Sequence, residues 1–179
     1  MLEVPQALLE ERRARGADRW DEMWVGELHM VPPPSVEHQR LGADLFLVLG
    51  PLAKARGLVP FYDATGLYRP GAHDDWRTPD STFARPEVLS RRGIEGAAAL
   101  VVEILSPGDE TYRKLHWYAS VGVAEVLVIE PTTRAVEVFA NVDGRMVPVE
   151  PAAIECLGVR AEMVDGKLRL TWDGGTADI

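Results

Sequence analysis

Apolar and polar positions recur with two different periods along the chain, and the changes of period mark the elements. Residues 5–15 set Leu8 and Leu9 on a different face from Arg12 and Arg13. That is the spacing of a short amphipathic helix, and Gly16 ends it. Residues 21–31 alternate, with Trp24, Gly26, Leu28 and Met30 against Val25, Glu27, His29 and Val31. The pattern predicts one strand, stopped by Pro32, Pro33 and Pro34. Ser35 suits a helix N-cap and Glu37 the positive end of the helix dipole. A helix is predicted from residue 36 to about residue 56, with an apolar stripe at Leu41, Leu45, Val48, Leu49 and Leu52. A kink or break is expected at Pro51, and Gly57 serves as the C-cap.

Residues 58–68 read as one extended segment, 69–78 as a loop, 79–84 as a short strand and 85–96 as a polar connection. Residues 98–105, AALVVEIL, are almost continuously apolar, as in a strand buried on both faces. Residues 124–129, AEVLVI, repeat the signal. A helix over 109–121, ended by Gly122, lies between them. Residues 134–140, 145–149 and 167–172 alternate and read as antiparallel additions. No repeat or low-complexity tract interrupts this order. It predicts one α/β domain over residues 1–179, a mixed sheet flanked by helices with extra antiparallel C-terminal strands.

Composition narrows the class. The 179 residues suit a single domain, and the 46% hydrophobic and 26% charged fractions argue against disorder. One cysteine, Cys156, leaves no intrachain disulfide and no cysteine-based zinc site. No apolar run approaches the roughly 20 residues of a membrane span. Residues 1–13 carry Glu3, Glu10 and Glu11 in place of a basic-then-apolar leader, so a cytoplasmic protein is expected. The net charge of −9 argues against a basic surface that wraps nucleic acid. The charge divides as −3 over residues 1–34, −3 over 35–142 and −3 over 143–179, so acidity is densest at the two ends. Only three of the nineteen bases are lysines: Lys54, Lys114 and Lys167. Arginine is the general cation here, which draws attention to each lysine.

Two acids then stand out. Glu103 interrupts VVEIL, where a buried carboxylate needs a partner, a proton or a metal. An outward-facing strand acid is the plain alternative. Asp80 follows Pro79 at the start of a short β segment, where a turn acid is equally ordinary. Glu110, Lys114 and Tyr118 fall at i, i+4 and i+8, on one helical stripe. The stripe gives either an exposed Glu110–Lys114 pair or a lysine set over the end of the Glu103 strand. His29, His73 and His116 lack partner spacing and read as surface or loop residues, and Asp74-Asp75 as a solvated turn. Trp20 and Trp24 read as core or interface ahead of a base-stacking platform.

The motifs GEL at 26–28, PPSVEH at 33–38, PD at 79–80, VVEILSP at 101–107 and YRKLHWYASVGVAEVLVIEP at 112–131 occur in register. Together they resemble the Uma-type branch of the PD-(D/E)XK nuclease superfamily, small bacterial restriction-endonuclease-like proteins, over roughly residues 26–139. The resemblance implies a restriction-endonuclease-like mixed sheet. It implies that Asp80 and Glu103, with a backbone carbonyl such as that of Ile104, hold Mg²⁺ or Mn²⁺, and that a lysine assists attack by water on a phosphodiester. The superfamily's lysine two residues after the second acid is Leu105 here. Lys114 takes that role in the branch pattern. Glu27, His38 and Gln39 match the N-terminal strand and first-helix positions that complete such sites, and Tyr118 is a further candidate.

The expected activity is Mg²⁺-dependent phosphodiester hydrolysis of DNA by Asp80, Glu103 and Lys114. Against it stands a nuclease-fold protein of weak or no activity that serves binding or assembly. A hydrolase of small phosphate esters is a third reading. Apolar C-terminal strands and the Trp-rich N-terminal region lead to the expectation of a homodimer or higher symmetric oligomer.

Overall fold

A computed structural model describes residues 5–63, 65–108 and 110–179. In chain order the elements are α1 (Gln6–Ala14), β1 (Glu22–Trp24), β2 (Glu27–His29), α2 (Val36–Ala55), β3 (Val59–Tyr62), β4 (Leu67–Tyr68), β5 (Trp76–Arg77), β6 (Ser81–Ala84), β7 (Ile94–Glu95) and β8 (Leu100–Ile104). There follow α3 (Thr111–Ser120), β9 (Glu125–Ile129), β10 (Val136–Val142), β11 (Arg145–Pro148), β12 (Ala153–Ile154), β13 (Val159–Val164), β14 (Lys167–Trp172) and β15 (Gly175–Asp178). Residues 1–4 of the expected leaderless N-terminus and Asp109, the expected first residue of the third helix, lie outside the described residues.

The main sheet has the order β11-β10-β9-β8-β6-β3. β8 and β9 pair in parallel, Leu100 to Glu125 through Ile104 to Ile129, while the other pairs are antiparallel. Parallel neighbours need a crossover, and α3 supplies it. All five residues of β8 and of β9 are buried, as their apolar runs demand. Strand alternation sends Leu100, Val102 and Ile104 into a core with Leu41, Leu45 and Leu49 of α2. Val101 goes to the opposite core, with Trp117 and Tyr118 of α3. Glu103 follows Val101 by two residues and therefore points toward α3.

Several elements depart from the sequence reading. Residues 21–31 form a hairpin, with Trp24 facing Glu27 across Val25 and Gly26. Both turn residues have positive φ, 51° and 85°, the geometry of a type I′ turn. Val-Gly lacks the Asn-Gly or Asp-Gly signature, so the alternation reads straight through it. The segment 58–68 splits between two sheets, because β3 joins the main sheet and β4 a small sheet of order β2-β1-β5-β4-β7. The expected loop 69–78 contributes β5 to that sheet. Strands β12 to β15 form their own antiparallel sheet. Its residues Val159, Ala161, Leu168 and Leu170 pack in the core with α2.

α2 runs unbroken through Pro51. Pro51 and Leu47, whose carbonyl loses its donor, both lie on the exposed side, where the proline costs least. Ser35 Oγ accepts the His38 N–H at 3.2 Å, the expected N-cap. No described helix is long and apolar enough to cross a membrane.

Candidate active site

The C-terminal end of β8, the start of β6, the β1–β2 hairpin, the N-terminus of α2 and the first turns of α3 surround a cleft of about 820 Å³. Glu22, His38, Asp80, Glu103 and Lys114 all line it.

Glu103 is 3% exposed. Its Oε1 accepts a hydrogen bond from the Tyr118 hydroxyl and an ion-pair contact from Lys114 Nζ at 3.0 Å. Because Lys114 and Tyr118 are four residues apart on α3, both reach the same carboxylate. Burial raises the Glu103 carboxyl, Lys114 opposes this, and Asp80 and Glu22 add to the rise, leaving it at about 7. Burial alone would lower the Lys114 ammonium, but Glu103 and Glu22 outweigh it and hold the group well above its ordinary value. Lys114 therefore stays charged at neutral pH. Tyr118 is raised by burial and by the neighbouring carboxylates, so its hydroxyl keeps its proton and donates.

Glu22 was not singled out from sequence. Its Oε1 lies 3.1 Å from Lys114 Nζ and accepts the Thr78 N–H at 3.0 Å, while Oε2 accepts the Trp24 indole N–H at 2.8 Å. The only signal for it was its place on a β-like alternation, which the straight-strand reading assigned to no site. Lys114 thus bridges two buried carboxylates and does not pair with Glu110. Glu110 instead meets His29 Nδ1 at 2.8 Å and the Arg113 guanidinium. His29 also stacks on Trp24, with centroids 4.1 Å apart, so it is neither a surface nor a loop residue.

Asp80 sits immediately before β6 with a quarter of its side chain exposed. Its Oδ2 accepts the Ile104 N–H at 2.6 Å, which ties it to the residue after Glu103. His38 Nε2 lies 3.0 Å from the Ile104 carbonyl oxygen and 3.4 Å from Asp80 Oδ2, so that nitrogen carries the proton. Burial lowers the imidazole, but Asp80, the Ile104 carbonyl and Glu103 outweigh it and raise the group.

Two sequence candidates lie elsewhere. Glu27 is exposed at the hairpin end and does not line the cleft. Gln39 faces Tyr62, whose hydroxyl donates to its side-chain oxygen at 2.7 Å. Helical periodicity turns Gln39 about 100° away from His38, so only one of the two neighbours can enter the cleft. Asp75 is not in a solvated turn. It is 3% exposed and binds Arg69, Arg77 and the Trp117 indole.

Among the described residues no three His, Cys, Asp or Glu side chains form a ready-made metal cage. The donors present are of another kind. Asp80 Oδ1 and Glu103 Oε2 enter no hydrogen bond among the described residues, and the Ile104 carbonyl shares the His38 imidazole with Asp80. Oxygen donors from two carboxylates and a carbonyl, with water completing the shell, suit Mg²⁺, which takes few protein ligands. The residues fit such an ion.

The fold is a mixed α/β sheet whose Asp80 and Glu103 meet Lys114 of α3 in one cleft. The family model described as "Putative restriction endonuclease" (Uma2) matches residues 9–158, and the chain belongs to that family. Strands β13 to β15 begin where that match ends. The fold is similar to a solved structure titled as a putative nuclease belonging to DUF820 from Anabaena variabilis ATCC 29413. The TM-score is 0.59 at 19% identity, covering 74% of this chain and 78% of that one. None of the curated proteins matches the chain.

Proposed function

We propose that the protein is a divalent-metal-dependent phosphodiesterase that cuts DNA at the Asp80–Glu103–Lys114 cleft. The observation that carries this reading is the meeting of Lys114 Nζ with Glu103 Oε1 at 3.0 Å, with Asp80 tied to the next backbone N–H. In this reading Lys114 of α3 stands in for the lysine missing at Leu105, which its contact with Glu103 supports. Asp80 Oδ1, Glu103 Oε2 and the Ile104 carbonyl would hold Mg²⁺ or Mn²⁺, which supplies a water of lowered pKa and positive charge opposite the scissile phosphate.

The chain's own groups do the rest. Tyr118 donates to Glu103 and keeps that carboxylate turned to the cleft. His38 donates to the Ile104 carbonyl, and Ile104 N–H fixes Asp80, so the donor set is held before substrate arrives. Lys114 has three N–H donors. Two face Glu22 and Glu103, and the third is free to meet a phosphate oxygen whose charge grows in the transition state. Since Lys114 stays protonated, it acts as a fixed cation and not as a base.

The test is cleavage of labelled DNA by the full chain with Mg²⁺ or Mn²⁺. Asp80→Ala, Glu103→Ala and Lys114→Ala should each reduce cleavage by about 100-fold or more, the scale of losing one preorganised charge. Wild-type protein that cuts neither DNA nor RNA and binds no divalent ion in calorimetry is the non-catalytic binding protein instead.

A further inference from the structure

The charge lining the cleft is opposite to what a duplex needs. Six carboxylates face it, from Glu22, Glu37, Asp80, Glu103, Glu110 and Glu130, against a single ammonium, Lys114, and two imidazoles. A duplex carries one negative charge per roughly 1.7 Å of its axis, and proteins bind it by neutralising many phosphates at once. Here Lys114 and one divalent ion suffice for about one phosphate. The volume agrees. About 820 Å³ lies within the roughly 300–1,000 Å³ of pockets that enclose one small ligand, and it cannot take a double helix.

The walls offer a different attraction. Trp20, Met30 and Pro32 to Pro34 line one side, and Leu105, Pro107 and Pro131 are also in the lining. Trp24 is already covered, by the stacked His29 ring and by the Arg77 guanidinium 4.2 Å from its centroid. Trp20 is held differently. Its indole N–H is donated to Asp63 Oδ1 at 2.6 Å, and the Arg19 guanidinium lies 4.2 Å from its ring centroid. The indole is thus fixed in orientation and partly exposed, with one face under the Arg19 guanidinium, so a base would stack on the other.

We infer that the cleft selects an unpaired stretch of DNA, with one phosphate at Lys114 and a flanking base stacked against the Trp20 wall. The inference rests on the cleft being the phosphodiester-cutting site. A single strand carries about half the charge per length of a duplex, and base stacking, which is tolerant of sequence, adds attraction without a further cation, which eases the conflict between DNA as substrate and an acidic protein.

The test compares a labelled single strand of about 15 nucleotides with its blunt duplex, using the full chain and Mn²⁺. The single strand should be cut at least about ten-fold faster by kcat/KM. Its binding should depend weakly on salt, with a log–log slope of about −1 to −2, as for one or two phosphates. Trp20→Ala should raise KM for the single strand roughly ten-fold with kcat little changed, and Trp20→Phe should restore most of it. Equal or faster cutting of the duplex, a slope of many phosphates, or an unchanged KM in Trp20→Ala overturns the inference. If neither DNA is cut, the proposed activity fails, and binding alone decides the inference. Tryptophan fluorescence quenched by the single strand and not by the duplex then upholds the stacking wall, and absence of quenching removes it.

Discussion

Arg77 is 3% exposed, with Trp24 and Trp117 rings 4.2 and 4.4 Å from its guanidinium carbon. Its Nη1 donates to the Met23 carbonyl and to Asp75 Oδ1, which fastens β1, the strand bearing Glu22, to β5 within the small sheet. Glu22 and Asp75 offset this burial, and Asp75 is the one in direct ion-pair contact. Removing it in Asp75→Ala leaves a buried guanidinium unpaired and should cost about 3–5 kcal/mol in urea unfolding. The same carboxyl gives a pH signature. Burial raises it, but the Trp117 N–H, Arg69 and Arg77 outweigh burial and hold it below its ordinary 3.8. A folded-state pKa below the unfolded one means stability that is present at neutral pH and lost as pH falls through the depressed value. The gap in stability between wild type and Asp75→Asn should therefore stay constant down to about pH 4 and shrink below it. A gap that widens on acidification contradicts this placement of the charge. Lys114 invites a parallel experiment. Lys114→Met leaves Glu22 and Glu103 facing one another in a buried site, a loss of roughly 3–5 kcal/mol. Glu103→Gln added to it should recover part of that loss, giving a coupling of about 1 kcal/mol or more in a double-mutant cycle. Strictly additive losses would mean that the triad is not formed.

At the scale of elements, the β1–β2 hairpin decides what the site contains. It brings Glu22 to Lys114 and His29 to Glu110, and its turn places a β-branched residue, Val25, at φ 51° with 77% of its surface exposed. A left-handed conformation costs such a residue about 1–2 kcal/mol, whereas Asn adopts it readily. Val25→Asn should raise stability by about 0.5–1 kcal/mol without altering the cleft, measured as a higher Tm. A lower Tm would mean the type I′ turn is wrong. The same turn explains where the sequence was legible. The strand–helix–strand unit β8-α3-β9 announces itself through two buried runs and a helical period, so Glu103 and the Lys114–Tyr118 stripe were legible on adjacent elements, while spacing left open whether Lys114 meets Glu110 or Glu103. Asp80 and His38 entered through motif blocks, and the structure sets both beside Ile104. Glu22 stayed hidden because an unmarked two-residue turn preserves strict alternation. Asp75 stayed hidden because a short loop cannot show that Arg69, Arg77 and Trp117, from 2 to 42 residues away, close around it.

For the molecule as a whole, the net charge of −9 sharpens into a local imbalance. Glu22, Asp80 and Glu103 converge near one ammonium and one imidazole, and burial first, then Asp80 and Glu22, raises the Glu103 carboxyl to about 7 against the pull of Lys114. In the proposed reading two of these acids, with Lys114, form the site, while much of the remaining acidity lies outside the cleft lining. A divalent cation would relieve the imbalance, so its binding should stabilise the fold by mass action independently of any catalysis. At an ion concentration of about 100 times Kd the gain is about 2.7 kcal/mol. For a chain of this size that corresponds to a rise in Tm of roughly 5–10 °C. MgCl₂ or MnCl₂ should produce this shift, and KCl at matched ionic strength should not. Glu103→Gln, which takes away one donor and the raised carboxyl together, should lose most of the metal-dependent shift even if it is more stable than wild type in the absence of metal. An equal shift in wild type and Glu103→Gln would show that the ion binds elsewhere on the acidic surface, and would detach the metal from the cleft.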